Sequence, residues 1–196
     1  APIWVGLGAM IFFRERLRWR YWAGLGLALA GAAVVTGFNP AAGLSLNAGD
    51  GLAFVGAAFY AAYLLVTQRG RTQLDTLSYL WLVAATASVT LFAMCLLLGL
   101  PLIGYPAHAY LSILGVGLLS QVGGWLLINF ALGRVSASMA VVVLLAQPII
   151  TGLLSIPLLD ELLTGRQVLG GALALSGIYL CLRRAADGRS TRSGAS

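Results

Sequence analysis

An all-α polytopic membrane protein with seven helices crossing the bilayer is the fold class this sequence predicts, and three observations predict it. Hydrophobic residues make up 60% of the 196 and charged residues 9%, with a mean hydropathy of +0.92. A soluble domain carries about half apolar and about a quarter charged residues. The uncharged stretches are long: a hydrocarbon core about 30 Å thick takes about 20 residues per helix. Short polar connections separate them, and because only helices or closed barrels satisfy their backbone groups in lipid, such runs select helices.

The spans, in order, are residues 1–13, 20–38, 50–68, 77–99, 109–131, 136–158 and 166–183. The first ends where Arg14 opens a basic loop to Trp19, and the second ends at the Asn39–Gly49 connection. The third ends at Arg69 and Arg71. The fourth opens after Asp75 and closes before Leu100–His108, and the fifth closes before Arg134. Asp160 and Glu161 end the sixth, and the seventh runs to Arg183. Beyond it, residues 184–196 form a polar Ser/Arg-rich tail whose composition predicts disorder. Alternate loops lie on opposite sides of the membrane, and this assigns 11 of the 12 basic residues, all Arg, to one side, leaving Arg166 on the other. Loop arginines mark the cytoplasmic side, so a cytoplasmic C-terminus is expected. Basic residues confined to loops do not make the continuous face that nucleic acid requires. The lipid bilayer is the implied partner. Cys95 and Cys181 fall near opposite leaflets, which excludes a disulfide between them.

The chain also repeats itself. At an offset of 146 residues and without a gap, Pro2 maps to Pro148, Glu15 to Glu161, Leu17 to Leu163, Arg20 to Arg166, Gly24 to Gly170, Ala28 to Ala174 and Gly31 to Gly177. The offset carries the first two spans onto the last two, so a repeat contains five spans. Five is odd, and the second copy must enter the membrane inverted, as in many alternating-access proteins. The loop Arg14–Arg20 carries four Arg and one Glu, whereas its counterpart Asp160–Arg166 carries two acids and one Arg. The expectation is a ten-helix, 5+5 inverted repeat of which this chain holds seven helices, with three N-terminal spans absent.

Three groups of residues then carry a resemblance: Gly49-Asp50-Gly51 leading into Phe59-Tyr60-Ala61-Ala62-Tyr63; Gln147-Pro148; and Asp160-Glu161-Leu162-Leu163-Thr164 with Gln167 and Gly170-Gly171. The sequence resembles the drug/metabolite transporter superfamily, specifically its EamA-type domain, over everything but the tail. Pro2, Arg14-Glu15-Arg16-Leu17 and Gly24 are similar to the closing motif of a preceding copy. Residues 1–38 then read as the last two helices of a first repeat, 39–49 as the inter-repeat loop and 50–183 as a complete second repeat. The resemblance implies transport or efflux of small metabolites or drugs across the inner membrane, without catalytic residues. The other reading of the chain is a non-transporting membrane scaffold or sensor.

Candidate substrate contacts follow from polar groups at bilayer depth. Pro148, mid-span, cannot donate to the carbonyl of Leu144 and breaks the helix beside Gln147. Gln121, Trp125 and Asn129, at i, i+4 and i+8, form a polar-aromatic stripe expected to face the bundle interior, as pore lining or as interhelical hydrogen-bond glue. Tyr60 and Tyr63 lie mid-span and could complete a pocket. Glu15 and Glu161 hold the same motif position, which suggests a structural role. Gly24, Ala28 and Gly31 with Gly170, Ala174 and Gly177 form small-residue faces fitted to a partner repeat or to a second protomer, so a homo-oligomer stays open. All six acids lie at span ends or in loops, leaving no midplane carboxylate for proton coupling. No metal-ligand cluster, cofactor motif or catalytic pair stands out, so no enzyme and no cofactor are expected.

Overall fold

The computed structural model describes residues 1–37, 48–160 and 162–193, with Leu159 and 184–193 by backbone alone. Among the described residues all regular structure is helical. In order come α1 (Pro2–Phe12), α2 (Trp19–Val35), α3 (Ala48–Gly70) and α4 (Thr76–Leu97). The fifth apolar stretch is α5 (Ala107–Val116), a π-helical segment (Gly117–Gly124) and α6 (Trp125–Leu132). The sixth is α7 (Ala137–Leu144) and α8 (Gln147–Leu159), and α9 (Gly165–Ser193) is last. Five stretches are long and apolar enough to cross a membrane: Ala48–Gly70, Thr76–Leu97, Ala107–Leu132, Ala137–Leu158 and Gly165–Arg183. The first two expected spans form shorter helices, of 11 and 17 residues. The expected inter-repeat loop, except Ala48 and Gly49, and also Glu161 lie outside the described residues. α9 runs on past the apolar stretch, so the backbone of the polar tail is helical as far as Ser193.

The helices group into two compact units, Ala1–Leu65 with Ala137–Ser196, and Val66–Ser136. The first unit is built on the contact between α2 and α9. A methyl group added at Gly31 would stand 2.6 Å from the carbonyl oxygen of Gly170, and one at Gly177 would stand 2.6 Å from that of Gly24. One at Gly24 would meet the carbonyl of Gly177 at 2.9 Å, and one at Gly170 that of Gly31 at 3.0 Å. Gly24 thus faces Gly177, and Gly31 faces Gly170, which makes the helices antiparallel. The contact also maps onto itself when residues 24 and 31 are exchanged for 170 and 177. Lipid is as apolar as leucine and gives helices no hydrophobic reason to associate, so backbone proximity through small residues supplies the packing. Ala28 and Ala174 are fully buried in the same seam.

The corners leading into α2 and α9 also match. Arg14, past the end of α1, and Asp160, the C-cap of α8, both have φ of 53°, and among the described residues they are the non-glycines with positive φ. They lie 146 residues apart, as do the first residues of α2 and α9, Trp19 and Gly165. A left-handed residue that is not glycine costs about 1–2 kcal/mol and persists where its surroundings impose it. The helix starts differ chemically. Thr164 and Gln167 form a capping box: the Thr164 backbone N–H and hydroxyl donate to Gln167 Oε1 at 2.8 and 2.9 Å, and the Gln167 N–H donates to Thr164 Oγ1 at 3.3 Å. At α2 the cap is Arg18, with no side-chain cap hydrogen bond. At the far end of α2, Arg166 Nε donates to the carbonyl of Val34 at 3.3 Å, a cation placed at the helix's carbonyl end.

In the second unit, α4 starts at Asp75, whose carboxylate accepts from the backbone N–H groups of Leu77 and Ser78 at 3.0 and 3.1 Å. Bonding from the Ser78 side chain and backbone holds that carboxyl below its ordinary pKa. The Tyr79 hydroxyl donates to Thr67 Oγ1 at 3.1 Å, both residues being buried, and its ring lies against Gly70, where a side chain would collide with it.

Candidate functional site

The first cluster forms at the α1–α2 corner. Phe13–Arg18 is not helical, and its side chains alternate: Arg14, Arg16 and Arg18 are exposed, while Glu15 and Leu17 are half-buried. Glu15 accepts a short hydrogen bond from the hydroxyl of Ser138, in the first turn of α7 and 1% exposed. The Tyr21 hydroxyl donates to the Ser138 carbonyl at 3.2 Å, and the thiol of Cys181 donates to the Tyr21 carbonyl at 3.3 Å. This chain of three hydrogen bonds ties the loop, the start of α7, α2 and α9 together at one end of the unit. Cys181 and Cys95 are both free thiols.

The sixth stretch carries a break. α7 ends at Leu144, and Leu145 and Ala146 form a turn in which their N–H groups donate three residues back, to Val142 at 3.1 Å and Val143 at 2.9 Å. α8 restarts with Gln147 and Pro148 at its first positions, where proline loses no helical hydrogen bond. Gln147 is exposed and Pro148 half-exposed. A second proline, Pro157, sits inside α8. Tyr60 and Tyr63, also in this unit, are half-buried on α3, and both are engaged in interactions.

Gln121, Trp125 and Asn129 belong to the other unit, and the stripe they form is graded. Gln121 is exposed within the π-helical segment, Trp125 is half-buried and Asn129 is fully buried. The π-helical winding bonds i to i+5 instead of i to i+4, so the face occupied by Gln121 shifts from the one an α-helix would give it. Asn129 Nδ2 donates to the Trp125 carbonyl at 2.8 Å, while Asn129 Oδ1 is buried without a hydrogen-bond partner. The Asn129 carbonyl accepts from Arg71 Nε at 3.0 Å, and Arg71 also donates to Thr76 Oγ1 at 2.6 Å and to the Leu74 carbonyl. Arg71 thereby staples the α3–α4 turn onto the end of α6. Arg71→Ala is expected to lower the thermal unfolding midpoint in detergent, at about 2–3 kcal/mol for bonds from a charged donor. Arg71→Lys recovers little of it, since an ammonium cannot reproduce the guanidinium fork.

The sequence alone did not single out Ser138, Thr67 or Tyr79, and read Arg71 for its charge alone. A serine at a helix start looks like any cap, and its long-range partner has no local signature. The π-helical segment had a visible trace, the run of small and polar residues from Gly117 through Ser120 and Gln121 to Gly123 and Gly124. Among the described residues no group of three or more His, Cys, Asp or Glu could hold a metal.

Long apolar helices with broadly exposed Leu, Ile, Val and Phe define a polytopic protein whose solvent is the bilayer. Residues 47–183 match the family model described as the EamA-like transporter family. The match takes in most of the chain, and the chain belongs to that family, a membrane transporter family of the drug/metabolite type. No curated protein and no solved structure matches the chain.

Proposed function

We propose that the chain serves a secondary transporter that exports small metabolites or drugs by alternating access, within a ten-helix 5+5 inverted repeat. Its place is the inner membrane, with the C-terminus cytoplasmic. Family membership over residues 47–183 carries the reading. The antiparallel α2–α9 seam, which maps onto itself at the 146-residue offset, supports the inverted repeat, as do the matching corners at Arg14 and Asp160. The one-sided placement of arginine supports the orientation.

Substrate contacts are assigned to Gln121, Trp125 and Asn129 in one unit, and to Gln147, Tyr60 and Tyr63 in the other, with Pro148 as the helix break. The buried, unpartnered Oδ1 of Asn129 is the strongest single feature among them, because such an acceptor costs free energy until a donor meets it. Glu15 and Glu161, with Gly24 and Gly170, take structural roles in this scheme. The test is flux of a metabolite panel in liposomes reconstituted with the full-length gene product. Gln121→Ala, Trp125→Ala and Gln147→Ala are expected to lower flux several-fold at unchanged folded yield. Unchanged flux in all three overturns the site assignment. Absence of flux across the whole panel, with the protein folded, favours a scaffold or sensor.

A further inference from the structure

The alternation of the α1–α2 corner leaves one face unexplained by packing or by transport. Its inward residues are anchored: Glu15 holds the Ser138 hydroxyl, and Leu17 lies 3.6 Å from where a methyl at Gly6 would stand. Its outward residues are Arg14, Arg16 and Arg18, followed by exposed Arg20 on the first turn of α2. The left-handed φ of 53° at Arg14 and the bond from the Leu17 N–H to the Glu15 carbonyl at 3.1 Å turn the chain tightly here, so the exposed arginines share one short corner. Four guanidinium groups are therefore gathered in seven residues, and the one carboxylate among them is turned inward and hydrogen-bonded. Among the described residues no acid is paired with Arg14, Arg16 or Arg18. Holding like charges at this spacing is unfavourable until anions come between them.

Exposed apolar side chains flank the corner on both sides in sequence. Ile11 and Phe12, at the end of α1, are 71% and 75% exposed, and Trp19 is 70% exposed with the Arg20 guanidinium 5.6 Å from its ring centre. Arg183 lies at the same end of the unit, because Cys181, two residues before it, bonds to Tyr21; its guanidinium lies 5.8 Å from the ring of Tyr179. A basic row bordered by tryptophan and by bare apolar side chains matches a phospholipid from phosphate to acyl chain. Guanidinium groups suit phosphodiesters because two parallel N–H bonds reach two oxygens. Nucleic acid would leave the apolar border uncovered.

We propose that the α1–α2 corner binds the headgroups of anionic phospholipids, with Arg14, Arg16, Arg18 and Arg20 on the phosphodiesters and Trp19 at the level of the glycerol backbone. Its test needs no transport assay. The protein is placed in phosphatidylcholine bilayers holding brominated phosphatidylglycerol or brominated phosphatidylcholine, and quenching of Trp19 is isolated by difference from Trp19→Phe. Quenching is expected at lower mole fractions of the brominated phosphatidylglycerol than of the brominated phosphatidylcholine. Each neutralised arginine should weaken the preference about fivefold, so the Arg16→Gln/Arg18→Gln double variant should weaken it about twenty-five-fold. Lysine at both positions should restore charge but only part of the preference, since the bidentate fork is lost. Equal quenching by the two lipids, or an unchanged preference in the double variant, overturns the proposal. Competition by millimolar inorganic phosphate also overturns it, because it marks a free-phosphate site. Should the double variant not fold, wild-type protein at about 1 M salt, where screening acts within about 3 Å, decides the matter: a preference that weakens supports the site, and one that survives undiminished sinks it.

Discussion

Leucine in place of Gly31 is expected to part α2 from α9. The added side chain starts 2.6 Å from the Gly170 carbonyl, and its other neighbours are the backbone of Ala174, so no flexible side chain can yield. Overpacking of an ordinary core costs about 1–3 kcal/mol. Here the backbones themselves must separate, and a loss at or above the top of that range is expected, visible as a lowered unfolding midpoint and a loss of folded yield. Gly177→Leu should produce a matching loss, because it meets Gly24 and Ala28 in the same geometry. Gly26→Leu, on the same helix with open space where its side chain would go, serves as the control and should leave the midpoint nearly unchanged. A large effect at Gly26, or a small one at Gly31, would show that the seam does not hold this unit together.

Removing the Glu15 carboxylate should release the α1–α2 corner. Ser138 is 1% exposed, so Glu15→Ala loses a charge-assisted bond made away from water, and a loss of about 2–3 kcal/mol is expected. Ser138→Ala should cost less, since the half-buried carboxylate can turn to water. The double variant should be more stable than the two single losses would sum to, which is the signature of a direct pair. Limited tryptic digestion gives a second readout, because the loop offers Arg14, Arg16 and Arg18. Cleavage there should quicken in Glu15→Ala and stay slow in Glu15→Gln, whose amide oxygen still accepts from Ser138. Equal digestion rates in all variants would mean that the corner is held by something else.

Much of the architecture was legible because lipid imposes it. Apolar length, the arginines that interrupt it and the proline at position 148 are local, and they placed the described helices within a few residues except at the end of α9, which runs to Ser193 through a tail read as disordered. The 146-residue register was legible too, since Pro, Glu and Arg rarely coincide by chance in sequences rich in Ala, Leu and Gly. The pairing between the small-residue faces was not legible: Gly24, Ala28 and Gly31 fit a second protomer as well as the other repeat, and the coordinates place them against Gly177, Ala174 and Gly170. For the stripe, helical periodicity put Gln121, Trp125 and Asn129 on one face. The π-helical winding and the grading from exposed to buried depend on bonding that periodicity does not encode. Thr164 and Gln167 stood in the sequence as part of a family resemblance, and their reciprocal hydrogen bonds give that pattern a physical reason.

The two corners, alike in the left-handed φ at Arg14 and Asp160, are secured by different means. Thr164 and Gln167 bond to each other across three residues, so their corner carries its own fastening wherever the surrounding helices go. Glu15 reaches Ser138 across 123 positions of chain, and that fastening exists only while α7 stays beside the loop. One corner is a weld and the other a clasp, and any motion that unseats α7 must open the clasp first.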